Sequence, residues 1–234
     1  MVMLMKKWLC LICSLFTFFA NANANSCLSS ASQLQASYQI TDVDGQGKAS
    51  VSKFSLYRFK NQIGYYYHDK KYGDWWTQTE QGQLNLLRYF PVYQQAIEYQ
   101  ANELPQPTQQ KHFWQRKAQL VSAQLLAKMN RVAIQGQGCN RIEVLSYHNN
   151  DIDYHVRWLT HLNMPENVEL YQGNKKLFSW QLIAVNNNLE QLREYIKQIN
   201  QYQSTDFADI GDNESNPLLA KMINQGFREH KLLQ

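Results

Sequence analysis

At 234 residues, 44% of them hydrophobic and 18% charged, the chain is long enough to bury one substantial core. Its formal net charge of +4 falls nearer to zero once Lys6 and Lys7 are set aside, and the remaining basic residues are dispersed, which excludes long-range steering toward nucleic acid. Beyond the first two dozen residues no apolar run approaches the roughly 20 residues that cross a bilayer as a helix, so the mature chain carries no stable membrane span.

The N-terminus reads as an export signal. Lys6 and Lys7 form a positive head, residues 8–20 a short apolar run, and Ala20, Ala22 and Ala24 small positions suited to cleavage. This predicts a signal peptide over residues 1–24 and a single α+β domain over 25–234, soluble in the bacterial periplasm. Cys27 raises the alternative of an outer-membrane lipoprotein, but the residues before it lack the leucine expected three positions earlier. With Cys10 and Cys13 removed, Cys27 and Cys139 have one intramolecular pairing available in an oxidising compartment. A bridge between them would close a loop above 100 residues, which chain-entropy arguments value at about 4–5 kcal/mol.

From Tyr38 the pattern is extended. Tyr38 and Ile40 alternate with polar neighbours, residues 44–47 (Asp-Gly-Gln-Gly) supply a turn, and residues 51–60 resume the alternation, which predicts an antiparallel hairpin. Residues 63–68 read as the next strand, residues 69–74 as a turn, and Trp75 to Thr77, Leu84 to Phe90 and Ala96 to Tyr99 as further strands of a meander rather than strand–helix–strand units.

Residues 108–129 read as one long amphipathic helix around which the rest is organised. Phe113, Trp114, Val121, Leu125, Leu126 and Met129 recur at three- and four-residue spacings, Thr108 can cap the first turn, and Lys117 and Lys128 are expected on flanks facing water. Gly136 and Gly138 then mark a loop without the spacing of a phosphate-binding motif. Residues 142–147 and 152–159 pair as strands, with Ile152, Tyr154, Val156 and Trp158 on one face and Asp153, His155 and Arg157 on the other. Met164, Pro165 and Glu166 interrupt the pattern before two more strands flanking Gly173 and Asn174. A second helix is expected over residues 189–202 on the stripe Leu189, Leu192, Ile196 and Ile199, then a short acidic loop, and a C-terminal helix opening at Pro217.

Three groups of side chains are candidates for function. Asp206, Asp209, Asp212 and Glu214 place four carboxylates within nine residues and offer oxygen ligands to a hard cation, although their spacing is not that of an EF-hand and acidic groups also suit the start of a helix. His148, His155 and His161, with Asp151 and Asp153 nearby, would suit zinc if three of them met. The aromatic residues Tyr57, Tyr66, Trp75, Trp76, Trp114 and Trp158 either fill the core or line an apolar cavity for a lipid or other amphiphile. Asp42, Asp44, Gly45 and Gly47 imitate part of a calcium loop, but its closing acid falls on Lys53. Ser146 and Ser179 lack a nucleophile elbow, and nothing places Glu98 and Glu103 across a scissile bond.

In the order of its segments, with Trp75, Trp76, Gly82 and Tyr89 between short strands in residues 56–99 and a further strand pair in residues 165–185, the chain resembles the periplasmic carriers and outer-membrane receptors of bacterial lipoproteins. That resemblance implies a half-barrel whose concave side binds lipid beneath a helical lid. The expected architecture is thus a single α+β domain, a curved antiparallel sheet covered by helices. The expected role is noncatalytic binding of a hydrophobic or amphiphilic ligand, a lipid or lipoprotein, with no cofactor. The alternatives are a metal-dependent enzyme using the acidic segment or the histidine region, and an interaction module for another envelope protein.

Overall fold

The computed structural model describes Cys27 and residues 30–104 and 110–213, with residues 110, 111 and 211–213 described by backbone alone. The expected signal peptide, Thr108, Glu214 and the helix after Pro217 lie outside the described residues.

Strand follows strand from β1 (Gln33–Val43) through β2 (Ala49–Phe59), β3 (Gln62–Tyr67), β4 (Tyr72–Gln78), β5 (Leu84–Phe90) and β6 (Gln95–Tyr99). Each pairs antiparallel with the next, and residue alternation sends one side of every strand inward: Leu34, Ala36, Tyr38 and Ile40 of β1 are all buried, with polar neighbours between them. The second half of the chain supplies β7 (Asn130–Gln135), β8 (Ile142–Asn149), β9 (Ile152–Leu159), β10 (Met164–Gln172) and β11 (Lys175–Asn186), again a meander, and β11 returns to pair with β1. After the helix α3 (Leu189–Ile199), β12 (Gln203–Asp206) runs beside β6 in parallel. The result is one sheet of twelve strands in the order β12-β6-β5-β4-β3-β2-β1-β11-β10-β9-β8-β7.

This corrects the expected curved antiparallel sheet. The sheet is mixed, because β12 enters parallel to β6, and it is not curled: among the described residues its order runs from β12 at one edge to β7 at the other without closing. A parallel partner requires a long crossover, which the chain between β6 and β12 provides. The architecture is α+β, with a few helices on a large sheet.

The long helix expected over residues 108–129 is also corrected. It is two helices, α1 (Gln110–Gln119) and α2 (Ala123–Lys128), separated at Leu120, whose φ is +66°. Ser122 is the reason for the restart: its hydroxyl accepts the Leu125 N–H and caps α2, the role for which serine competes inside a helical pattern. Phe113 and Lys117 of α1, Leu120, Val121 and Leu125 are all buried, so the buried face continues across the break. Lys117, expected in water, is only 5% exposed, with its ammonium 5.1 Å from the ring centres of both Trp76 and Phe113 and 5.6 Å from that of Tyr65.

Two cores flank the sheet. On one face α1 and α2 cover Leu34, Tyr38, Phe54, Leu56, Trp76, Trp158 and Trp180; on the other, α3 brings Leu192 and Ile199 against Tyr57, Trp75, Tyr89 and Ala96. Asn188 caps α3 by accepting the Gln191 N–H. Tyr195 of α3 stacks on Tyr57 at 4.6 Å, and its hydroxyl lies 2.6 Å from that of Tyr89. β3 and β4 each have one point with no room for a side chain: Gly64 faces Trp75 and Gly73 faces Tyr89 across the ladders, and a Cβ on either glycine would overlap the opposing ring. Between β4 and β5 sits a buried ion pair. Arg88 Nε donates to Asp74 Oδ1 at 2.7 Å and Nη2 to Oδ2 at 3.0 Å, and the guanidinium lies 4.9 Å from the Tyr72 ring centre.

Candidate functional site

The expected aromatic site is divided by the sheet. Tyr57, Tyr66 and Trp75 belong to the α3 side, while Trp76 and Trp158 are buried on the α1 side and Trp114 packs at its margin. Ring meets ring across the α1 side, Tyr38 on Phe54 at 5.1 Å and Trp76 against Phe113 at 5.1 Å, so these side chains fill the interior themselves. Of the six, Trp114 lines an open cleft.

That space is a cleft of about 230 Å³ where the β2–β3 hairpin, α1 and the β9–β10 turn meet. Trp114, Ala118 and Ile63 form its apolar wall; Arg58, Lys60, Gln62, Ser32 and Asn163 form its polar one. The volume is below the roughly 300–1,000 Å³ of a pocket that encloses a drug-sized molecule, so it suits one end of an amphiphile with the remainder outside.

Arg58 controls the electrostatics of this cleft. Strand parity places it inward, in line with Phe54 and Leu56, and it is 5% exposed. Its Nη1 donates to the carbonyls of Ala31 (2.9 Å) and Leu162 (2.6 Å), and its Nη2 to those of Ala118 and Asn163, so one guanidinium joins the N-terminal arm, α1 and the β9–β10 turn. Among the described residues no carboxylate lies at ion-pair distance, and its Nε has no hydrogen-bond partner. Burial pushes the Arg58 pKa down to about 10, against the opposing influence of Tyr38 and Tyr65. Even so lowered, it is a cation at neutral pH without a compensating anion, and Lys60 adds a second positive charge at the mouth.

Among the described residues, His148, His155 and His161 do not converge. His148 Nδ1 is 2.7 Å from Asp153 Oδ1 in an exposed cross-strand pair, and His155 lies edge-on to Tyr171 on the polar face of β9. His161 is elsewhere, in the β9–β10 turn beside the disulfide joining Cys27 and Cys139. In the acidic segment, an Asp206 carboxylate oxygen accepts the Ala208 N–H at 3.0 Å, a turn-capping role; Asp209 stands in the short 3₁₀ segment that follows; the Asp212 side chain and Glu214 are outside the described residues. Asp44 likewise accepts the N–H groups of Gln46 and Lys48, as a hairpin turn requires.

No family model matches the sequence, and no curated protein matches it. Among solved structures, the chain is similar to the MucA/MucB complex of Pseudomonas aeruginosa (11% identity, 68% of this chain and 54% of that one, TM-score 0.40). It is similar also to a conserved protein of Thermus thermophilus (9%, 75% and 91%, TM-score 0.37) and to a LolA-superfamily protein of Nitrosomonas europaea (8%, 68% and 88%, TM-score 0.28). The resemblance to the lipoprotein-carrier layout is therefore weak and of low identity, and it assigns neither family nor ligand.

Sequence reasoning passed over Arg58, Lys60 and Asn163. For Arg58 a signal existed: a charged residue at the inward parity of an otherwise apolar strand edge, two positions after Leu56 and four after Phe54. Asn163 had none, since its place depends on the turn between two strands whose boundary was misread.

Proposed function

We propose that this protein is a noncatalytic envelope protein that binds an amphiphile in the cleft between the β2–β3 hairpin and α1. The observation that carries this reading is the pairing, in one recess, of the Trp114, Ala118 and Ile63 wall with the cations Arg58 and Lys60, neither of which has an ion-pair partner among the described residues. An acyl or similar chain would lie on the indole, where apolar burial is worth about 25 cal/mol per Å². Its polar end would turn toward the cations. The export signal read from Lys6 to Ala24 supports a periplasmic setting. Among the described residues no helix is long and apolar enough to cross a membrane.

The test is titration of the mature protein with dodecanoate and with dodecanol, followed by tryptophan fluorescence and native mass spectrometry. Saturable binding of one dodecanoate, tighter than dodecanol and weakened at least tenfold by Trp114→Ala or by Lys60→Glu, is expected. Equal binding by the variants, or no binding by the parent, would reject the reading.

A further inference from the structure

The Sγ atoms of Cys27 and Cys139 and a ring nitrogen of His161 lie within 4.8 Å of one another, and all three residues are half-buried. Their meeting is imposed by the backbone. In the β8–β9 ladder Ile142 pairs with Leu159, and continuing the register past the strand ends carries residue 139 toward residues 161 and 162. Thr160 fixes the approach: its N–H and its hydroxyl both donate to the Arg141 carbonyl, at 3.2 and 3.1 Å. The loop carrying Cys139 is equally constrained. Asn140 N–H donates to Gln137 O, Arg141 N–H to Gly138 O, and a Cβ at Gly136 would strike the Asn140 carbonyl. Cys27 reaches this corner with its Cα 5.5 Å from that of Cys139.

Two thiolates and an imidazole are the donor set of a tetrahedral zinc site with one open position. Such a site holds its donors about 3.6–3.8 Å apart, within the spread already present, so only the two sulfurs must separate.

We propose that, once their bridge is reduced, Cys27, Cys139 and His161 form a zinc site, so that the disulfide and the metal are alternative occupants of one corner of the fold. Two equivalents of a small thiol reduce the bridge: the S–S bond breaks, Cys27 and Cys139 each gain a proton, and the two donors are oxidised to one disulfide. Zinc(II) then displaces both thiol protons to form two Zn–S bonds, neutral His161 contributes its lone pair, and water takes the fourth position. No further electron transfer is needed. This inference is independent of the amphiphile cleft.

The experiment compares the oxidised mature protein with protein reduced by mercaptoethanol and desalted under nitrogen, each titrated with zinc chloride against a chromophoric chelator. The reduced protein is expected to take one zinc per chain. Cys139→Ser is expected to abolish uptake, and His161→Ala to weaken it at least tenfold. Cobalt(II) in place of zinc should give a thiolate-to-metal charge-transfer band only in the reduced parent. Circular dichroism follows each sample, and if reduction loosens the fold, zinc should restore the native spectrum. The proposal is overturned if the reduced protein takes up no zinc and regains no structure with it. Equal uptake by the oxidised protein or by His161→Ala, which would place the metal elsewhere, also overturns it.

Discussion

Asp74→Asn should destabilise the protein far more than its near-isosteric geometry suggests. Asp74 and Arg88 are 8% and 2% exposed in their side chains and share two hydrogen bonds between neighbouring strands of the sheet. Burial opposes the charge on Arg88, while the Asp74 charge and hydrogen bonds outweigh it and hold the guanidinium pKa above its ordinary value. Removing the carboxylate charge strips that buried cation of its Asp74 anion, and breaking one member of a buried pair costs about 3–5 kcal/mol. With a denaturant slope of roughly 2 kcal/mol/M, the urea midpoint should fall by about 1.5–2.5 M. Arg88→Met alone should cost a similar amount by stranding the anion, and the double variant should recover part of the loss, because it leaves no unpaired charge in the core. Equilibrium unfolding followed by circular dichroism gives all four corners of the cycle. A loss below about 1 kcal/mol for Asp74→Asn, or strict additivity in the double variant, would refute the reasoning.

Gly73→Ala should cost about 1–3 kcal/mol by forcing the Tyr89 ring away from the Tyr195 hydroxyl, measurable as a lowered urea midpoint; an unchanged midpoint would show that the ring yields freely. Ser122→Ala should cost about 1 kcal/mol through loss of the α2 cap, with Ser122→Asp expected to retain most of it, read by thermal unfolding. Stability should hold up to about pH 10 and fall steeply above it. Burial raises the phenol pKa of Tyr38, Tyr67, Tyr89 and Tyr195 in the folded state, so the unfolded chain loses protons first and stability drains as pH passes the unfolded value of 10.0. Arg58, shifted down, gives a single opposing contribution over the same range. Phenolate absorbance from these residues should therefore appear together with loss of near-ultraviolet dichroism, and its appearance near pH 10 in a still-native protein would contradict the assignment.

The sequence made the local ladders legible because period-two alternation survives wherever one strand face is buried. The hairpin around Asp44 to Gly47 and the pairing of β8 with β9 are of this kind. The stripe Leu189, Leu192, Ile196 and Ile199 likewise marked α3. What failed lay where alternation carries no information. Every residue of β7 is exposed, so its strand character comes from pairing with β8 alone. β12 is four residues of a polar run recruited by β6 at long range. The break at Leu120, with its left-handed backbone, falls inside an apolar pattern that keeps helical spacing on both sides of it, so periodicity cannot announce it. The cleft was illegible for a related reason: Arg58 finds carbonyl partners at residues 31, 118, 162 and 163, none of which is near it in the chain.

The notches at Gly64 and Gly73 have an evolutionary consequence. Each is occupied by a ring from the next strand, so neither position is free to drift by itself: a side chain at 64 demands a smaller residue at 75, and one at 73 demands the same at 89. Descendants of a common ancestor should change these pairs jointly or keep them, which makes the two couplets a usable fingerprint for tracing kinship.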